Sequence, residues 1–142
     1  MTKNKKIWIT GASSGIGKAA AKKFADNGWL VAVSARREKI LKEMSLHDNI
    51  YSFPLDVTKE EEVKKTFNLI IEKFKDLDLC LFSSGTYDPK LEKGINIQQN
   101  KFVMETNYFG VLHCLKAVEK YFKDKKNGHI SIVSSIAAYR GL

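Results

Sequence analysis

The sequence predicts a doubly wound α/β fold on a parallel sheet, and three observations predict it. Strand and helix patterns alternate along the chain, an order that right-handed crossovers build into a parallel sheet. The strand segments are near-continuous apolar runs, Trp29-Leu30-Val31-Ala32-Val33-Ser34 most plainly, as strands covered on both faces require. The first strand turns on glycines straight into a helix at Thr10-Gly11-Ala12-Ser13-Ser14-Gly15-Ile16-Gly17.

Lys5 to Thr10 reads as the first strand, and Gly15 to Asn27 as an alanine-rich helix stopped by Gly28. Trp29 to Ser34 is the second strand, Arg37 to Ser45 a helix, and Ile50 to Leu55 the third strand. Lys59 to Phe74 is an amphipathic helix, where Thr58 and Glu61 have the spacing of a capping box. Leu77 to Phe82 is the fourth strand. Ser83 to Asn100 reads as a long polar loop with Gly85, Pro89 and Gly94, a length associated with function. Lys101 to Phe122 reads as one long helix, Lys123 to Gly128 as its polar exit, and His129 to Ser134 as the fifth strand. The expected architecture is therefore a single Rossmann-type domain over residues 1–142, with five strands present and the sheet incomplete on its C-terminal side.

The glycine run carries the chemistry. A strand that turns into a helix directs backbone N–H groups and a helix N-terminus at one point, which suits a phosphate or pyrophosphate. Gly11 permits the tight turn, Gly15 lets the backbone approach a ligand, and Gly17 allows close helix–strand packing. Ser13, Ser14 and Ile16 complete the loop. In such a sheet the ligand lies beyond the carboxyl ends of the strands, where Gly11, Arg36, Asp56, Ser84 and Ser134 all fall.

Composition narrows the alternatives. The 142 residues are 44% hydrophobic and 11% aromatic, ordinary for one globular domain. No apolar run approaches the ~20 residues of a membrane-crossing helix, and Met1-Thr2-Lys3-Asn4-Lys5-Lys6 leads directly into a strand instead of a signal-peptide core. A cytoplasmic, membrane-free protein is the expectation. Cys80 and Cys114 read as reduced core residues, and His47, His113 and His129 have no ligand spacing, so no metal site is expected. The net charge of +8 comes from lysines dispersed among acids, the pattern of a solvated surface and not of a nucleic-acid stripe. That excess still favours a polyanionic ligand.

With these residues in view, the chain resembles the short-chain dehydrogenase/reductase family over essentially its whole length. Thr10 to Gly17 matches the family's Thr-Gly-x-x-x-Gly-x-Gly cofactor fingerprint. At the end of the second strand, NAD-binding relatives carry an acid that holds the adenosine ribose and repels a 2′-phosphate. Ala35 stands there instead, followed by Arg36 and Arg37, so the resemblance implies NADP(H) over NAD(H). Asp56-Val57 matches the family's adenine-contacting pair. The family's Asn-Asn-Ala-Gly is here Phe82-Ser83-Ser84-Gly85, which keeps the glycine and loses both asparagines. Asn107, in Asn107-Tyr108-Phe109-Gly110, matches the asparagine that continues a proton relay through water in relatives. Ser135 matches the catalytic serine that binds the substrate oxygen, with Ser134 as second choice.

Relatives place a Tyr-x-x-x-Lys motif on the helix after that serine, the Tyr as general acid/base and the Lys lowering its pKa. Tyr139 lies only four residues after Ser135 and does not match it. The resemblance thus implies the N-terminal part of an enzyme that passes a hydride between NADP(H) and a carbonyl or alcohol substrate, inactive alone and homo-oligomeric when complete. An isolated chain of this kind is expected to be poorly soluble or to associate, because its last strand would be a bare sheet edge. The alternative is a naturally short NADP(H)-binding or sensing protein without catalysis.

Overall fold

The computed structural model describes residues 4–87 and 95–140. Its five strands are β1 (Lys6–Thr10), β2 (Leu30–Ser34), β3 (Ile50–Ser52), β4 (Leu79–Phe82) and β5 (His129–Ile132). They form one sheet in the order β3-β2-β1-β4-β5, and all four pairings are parallel. The helices are α1 (Gly15–Asp26), α2 (Glu38–Met44), α3 (Glu60–Phe74), α4 (Ile97–Met104) and α5 (Gly110–Lys125). The crossovers reverse direction between β1 and β4, and a doubly wound sheet opens its crevice at that reversal.

The sheet buries two cores by the period-two alternation of its strands. On one face Ile7, Ile9, Val31 and Val33 pack with Ala21 and Ala25 of α1 and Leu41 of α2. On the other Trp8, Cys80 and Phe82 pack with Val63, Phe67 and Ile70 of α3 and with Cys114 and Val118 of α5. Trp8 stands edge-on to Phe82 at a centroid distance of 5.8 Å, and its Nε1 donates to the Ser34 hydroxyl at 2.9 Å. That bond satisfies an indole N–H at the centre of the sheet, where burial without a partner would cost about 1–3 kcal/mol.

A polar latch closes the end of the sheet remote from the strands' carboxyl termini. Lys125 reaches from α5 to the Asp76 carboxylate at 2.7 Å and the Leu77 carbonyl at 2.7 Å. The Tyr121 hydroxyl donates to Asp76 and accepts from the Leu77 N–H, each at 2.9 Å. Lys6 adds its Nζ to the Phe74 carbonyl at 2.7 Å.

Four expectations need correction. The capping box does not form: Lys59 precedes α3 without a side-chain cap, while Thr58 gives its N–H and hydroxyl to Asp56 Oδ1 at 3.0 and 2.8 Å. A carboxylate two residues upstream outcompetes the helix terminus for Thr58, and Glu60, Glu61 and Glu62 answer the helix dipole instead. Helix also begins inside the expected polar loop, at Ile97, because Asn96 Oδ1 caps the Gln99 N–H at 3.0 Å. Pro89 and Gly94 of that loop lie outside the described residues. The long helix is not uniform, since one π-helical turn over Glu105–Phe109 separates α4 from α5. Strand geometry in β3 ends at Ser52, although the Phe53 and Leu55 N–H groups continue onto the Val33 and Ala35 carbonyls at 2.9 and 3.1 Å.

Candidate functional site

A cleft of about 790 Å³ opens at the carboxyl ends of the strands, within the size range of small-molecule sites. Its floor is the turn from β1 to α1. Gly11 sits at φ +68°, and a Cβ there would stand 2.4 Å from the Ser83 carbonyl oxygen. Only glycine lets this turn lie against the strand β4 exit. Gly15, at φ +51°, faces open space, with nothing within 4 Å of a Cβ built on it. Gly17 is different: it is buried, and a Cβ would meet the Gly11 carbonyl oxygen at 2.6 Å. It packs the helix against the turn and does not line the cleft.

Helix α1 starts without a side-chain cap and without an acid in its first turn. Ser14 precedes the helix, yet its hydroxyl faces away from capping and accepts from Arg37 Nη2 at 2.6 Å. Arg37 Nε donates to the Ser13 hydroxyl at 3.0 Å. One guanidinium thus braces both serines, and the helix N-terminus keeps unneutralised partial positive charge. Arg36 is exposed and lies 6.0 Å over the ring of Phe102 on α4. Ala35, Arg36 and Arg37 all line the cleft, so its second wall is basic and carries no acid at the β2 exit.

Asp56 and Val57 form the third wall. Asp56 is half-buried, with one carboxylate oxygen engaged by Thr58, and Val57 is buried. Ser84 and Gly85 line the fourth side after β4. Twelve cofactor-side residues were expected from the sequence, and of these Gly17 alone stands outside the lining.

The two expected catalytic residues do not line this cleft. Asn107 sits in the middle of the π turn. Its Oδ1 accepts from the Thr86 N–H at 2.7 Å, and its Nδ2 donates to the Thr86 carbonyl at 2.8 Å. The amide closes a two-bond ring with the backbone of one residue and ties the β4 exit to the start of α5. Ser135 follows β5, exposed, with its Oγ accepting from the Ala137 N–H at 3.2 Å. Ser134 is exposed as well, and Val133 reaches the cleft.

Sequence reasoning missed several partners. Thr86, Thr106 and Val133 carry no motif, and the bracing role of Arg37 depends on a rotamer reaching back across a crossover. A second groove of about 430 Å³ lies between α1 and α2, beside Lys18, Met44 and His47. It is the more apolar of the two, and the strand-end cleft, where the glycine turn and two arginines meet, is the better candidate. Among the described residues no helix is long and apolar enough to cross a membrane.

Residues 5–142 match the short chain dehydrogenase family. The chain is 37% identical over 153 residues to a dehydrogenase/reductase SDR family protein 7-like of Dictyostelium discoideum, an alignment covering 98% of this chain and 48% of that protein. It is 36% identical over 143 residues to an uncharacterized oxidoreductase of Listeria monocytogenes, covering 97% of this chain and 58% of that one. The solved structure of ElxO with NADP bound superposes with a TM-score of 0.90 at 30% identity, covering 98% of this chain and 58% of that chain. The chain spans about half the length of the curated relatives it matches. With the sheet order, the glycine turn and the family match in agreement, this chain belongs to the short chain dehydrogenase family.

Proposed function

We propose that the chain binds NADP(H) in preference to NAD(H) and supplies the nucleotide-binding part of an oxidoreductase acting on a carbonyl or alcohol substrate. One observation carries the reading. An uncapped helix N-terminus and two arginines line the same cleft, beside a strand exit that presents alanine where an acid would repel a 2′-phosphate. The residues fit such a dinucleotide: the open space over Gly15 admits a pyrophosphate against the backbone. NADP bound to ElxO is in keeping with this preference.

The cofactor, when bound, supplies the hydride chemistry. Everything else falls to the chain. The N–H groups opening α1 would hold the pyrophosphate, with Gly11, Ser13, Ser14, Gly15 and Ile16 shaping the turn and Gly17 seating the helix behind it. Arg36 would take the 2′-phosphate and lie against the base, while Arg37 holds the two serines. Asp56 and Val57 would bound the adenine, and Ser84 with Gly85 the ribose side. Ser135 would donate to the substrate oxygen, and Asn107 would fix the loop over which a proton relay runs. Small-molecule substrate, cytoplasmic residence and a homo-oligomer in the complete protein belong to the same proposal.

The test is titration with NADPH and NADH, followed by Arg36→Ala. NADPH affinity should fall by about tenfold or more, the worth of a charge-assisted hydrogen bond, with NADH nearly unchanged. Equal losses for both cofactors would sink the assignment of Arg36. A second reading, a binding or sensing protein without catalysis, is favoured by the engagement of both Asn107 amide atoms with Thr86. Hydride transfer from NADPH to any of a panel of aldehydes and ketones by the intact protein would exclude it.

A further inference from the structure

We propose that His113, on α5 behind the cleft, is a positioning residue that holds the adenine-side wall by its bond to the Val57 peptide. The inference rests on the cleft being a nucleotide site. His113 Nδ1 stands 2.9 Å from the Val57 carbonyl oxygen, across 56 residues of sequence. A carbonyl only accepts, so the ring donates there from Nδ1–H. Three residues earlier, Gly110 is buried, and a Cβ on it would stand 2.7 Å from Val57 Cγ2. The helix backbone therefore comes right up to Val57, and its next turn donates into the same residue. Gly110 sets the approach and His113 fixes the peptide.

The segment needs such a tie. Regular strand geometry stops at Ser52, and the wall residues Leu55, Asp56 and Val57 lie beyond it. Leu55 is held to the Ala35 carbonyl and Lys59 to the Asp56 carbonyl, both at 3.1 Å. The Val57 carbonyl between them is satisfied by His113. With the donor removed, this peptide keeps only the bond from its Thr58 N–H to Asp56 Oδ1 at 3.0 Å, which is internal to the segment, and the wall loses its tie to α5.

The experiment compares His113→Ala and His113→Asn with the unmodified, intact protein. The Asn amide N–H occupies nearly the place of the imidazole Nδ1–H, so it replaces the donor without the ring. The probe is adenosine 2′,5′-bisphosphate, the adenine half of the cofactor, followed by calorimetric titration. His113→Ala should weaken it about fivefold, the worth of one net hydrogen bond, and His113→Asn should come within about twofold of the unmodified protein. In turnover, the KM for NADPH should rise in His113→Ala while kcat holds. The inference is overturned if His113→Ala binds as tightly as the unmodified protein, or if both variants are weakened alike, since the ring's packing would then matter and its N–H would not. If the unmodified protein itself fails to bind the bisphosphate, the nucleotide reading falls and this inference with it.

Discussion

Single residues here carry constraints that are steric first and chemical second. Gly11 is the sharpest case: Gly11→Ala places a Cβ 2.4 Å from the Ser83 carbonyl oxygen at a φ of +68° that side chains resist. The expected cost is about 2–4 kcal/mol, read as a drop in the denaturant midpoint, with nucleotide binding lost. Unchanged stability would show that the turn relaxes. Asn107→Ala removes both bonds to Thr86 and should cost about 1–2 kcal/mol. The fall should also appear as faster amide exchange at Thr86, and protection unchanged there would refute the tie. These two residues mark what the sequence could reveal. The glycine turn is legible because its conformation is dictated locally, by residues adjacent in the chain. The partner of Asn107 is 21 residues away, and the bracing of Ser13 and Ser14 by Arg37 crosses 24 and 23. Spacing encodes neither, because each depends on which rotamer packing selects.

At the level of elements, type and order are written in hydrophobic periodicity, while boundaries are decided by competition among caps. Thr58 and Glu61 had the spacing of a capping box, yet Asp56 captured Thr58 and moved the start of α3. Asn96 did the converse and began α4 within a stretch that reads as loop. The mid-helix position of Asn107 was the one local signal of the π turn, since Asn fits a regular helix poorly. The helix C-termini carry a correctable strain. Lys75 closes α3 at φ 61° and Lys126 closes α5 at φ 52°, both in the left-handed region that glycine enters without penalty. Lys75→Gly and Lys126→Gly should each stabilise the fold by about 0.5–1 kcal/mol, seen as a raised melting temperature. A lowered one would mean that the lysine side chains contribute more at these ends than the backbone loses.

Over the whole molecule, the sheet separates two buried cores. On the α3 and α5 side Cys80, Phe82, Cys114 and Val118 are essentially inaccessible, as are Ile7, Ile9, Val31, Val33 and Leu41 on the α1 and α2 side. The core on the α3 and α5 side holds both cysteines, and their burial sets how the fold responds to alkali. Burial pushes the Cys114 thiol from its ordinary value near 9.0 up to about 12. Burial, with a smaller contribution from Cys114, holds Cys80 well above the same value. A pKa raised in the folded state means stability that is complete below the unfolded value and is lost as pH rises toward the folded one. From pH 9 upward the unfolded chain therefore gains by ionising thiols that the folded chain keeps neutral. At pH 10 this amounts to about 1.4 kcal/mol for each cysteine, one pH unit past the unfolded pKa. Lys125 and Tyr121 of the polar latch act in the same direction, since both titrate above their ordinary values. Stability measured by urea unfolding should accordingly be flat from pH 7 to 8.5 and fall by several kcal/mol by pH 10. Replacing Cys80 and Cys114 by alanine lowers the plateau through lost packing, but it should flatten the alkaline slope by roughly two protons per molecule. An unchanged slope in that double variant would place the alkaline sensitivity elsewhere in the molecule, and the latch residues Tyr121 and Lys125 would then have to carry it.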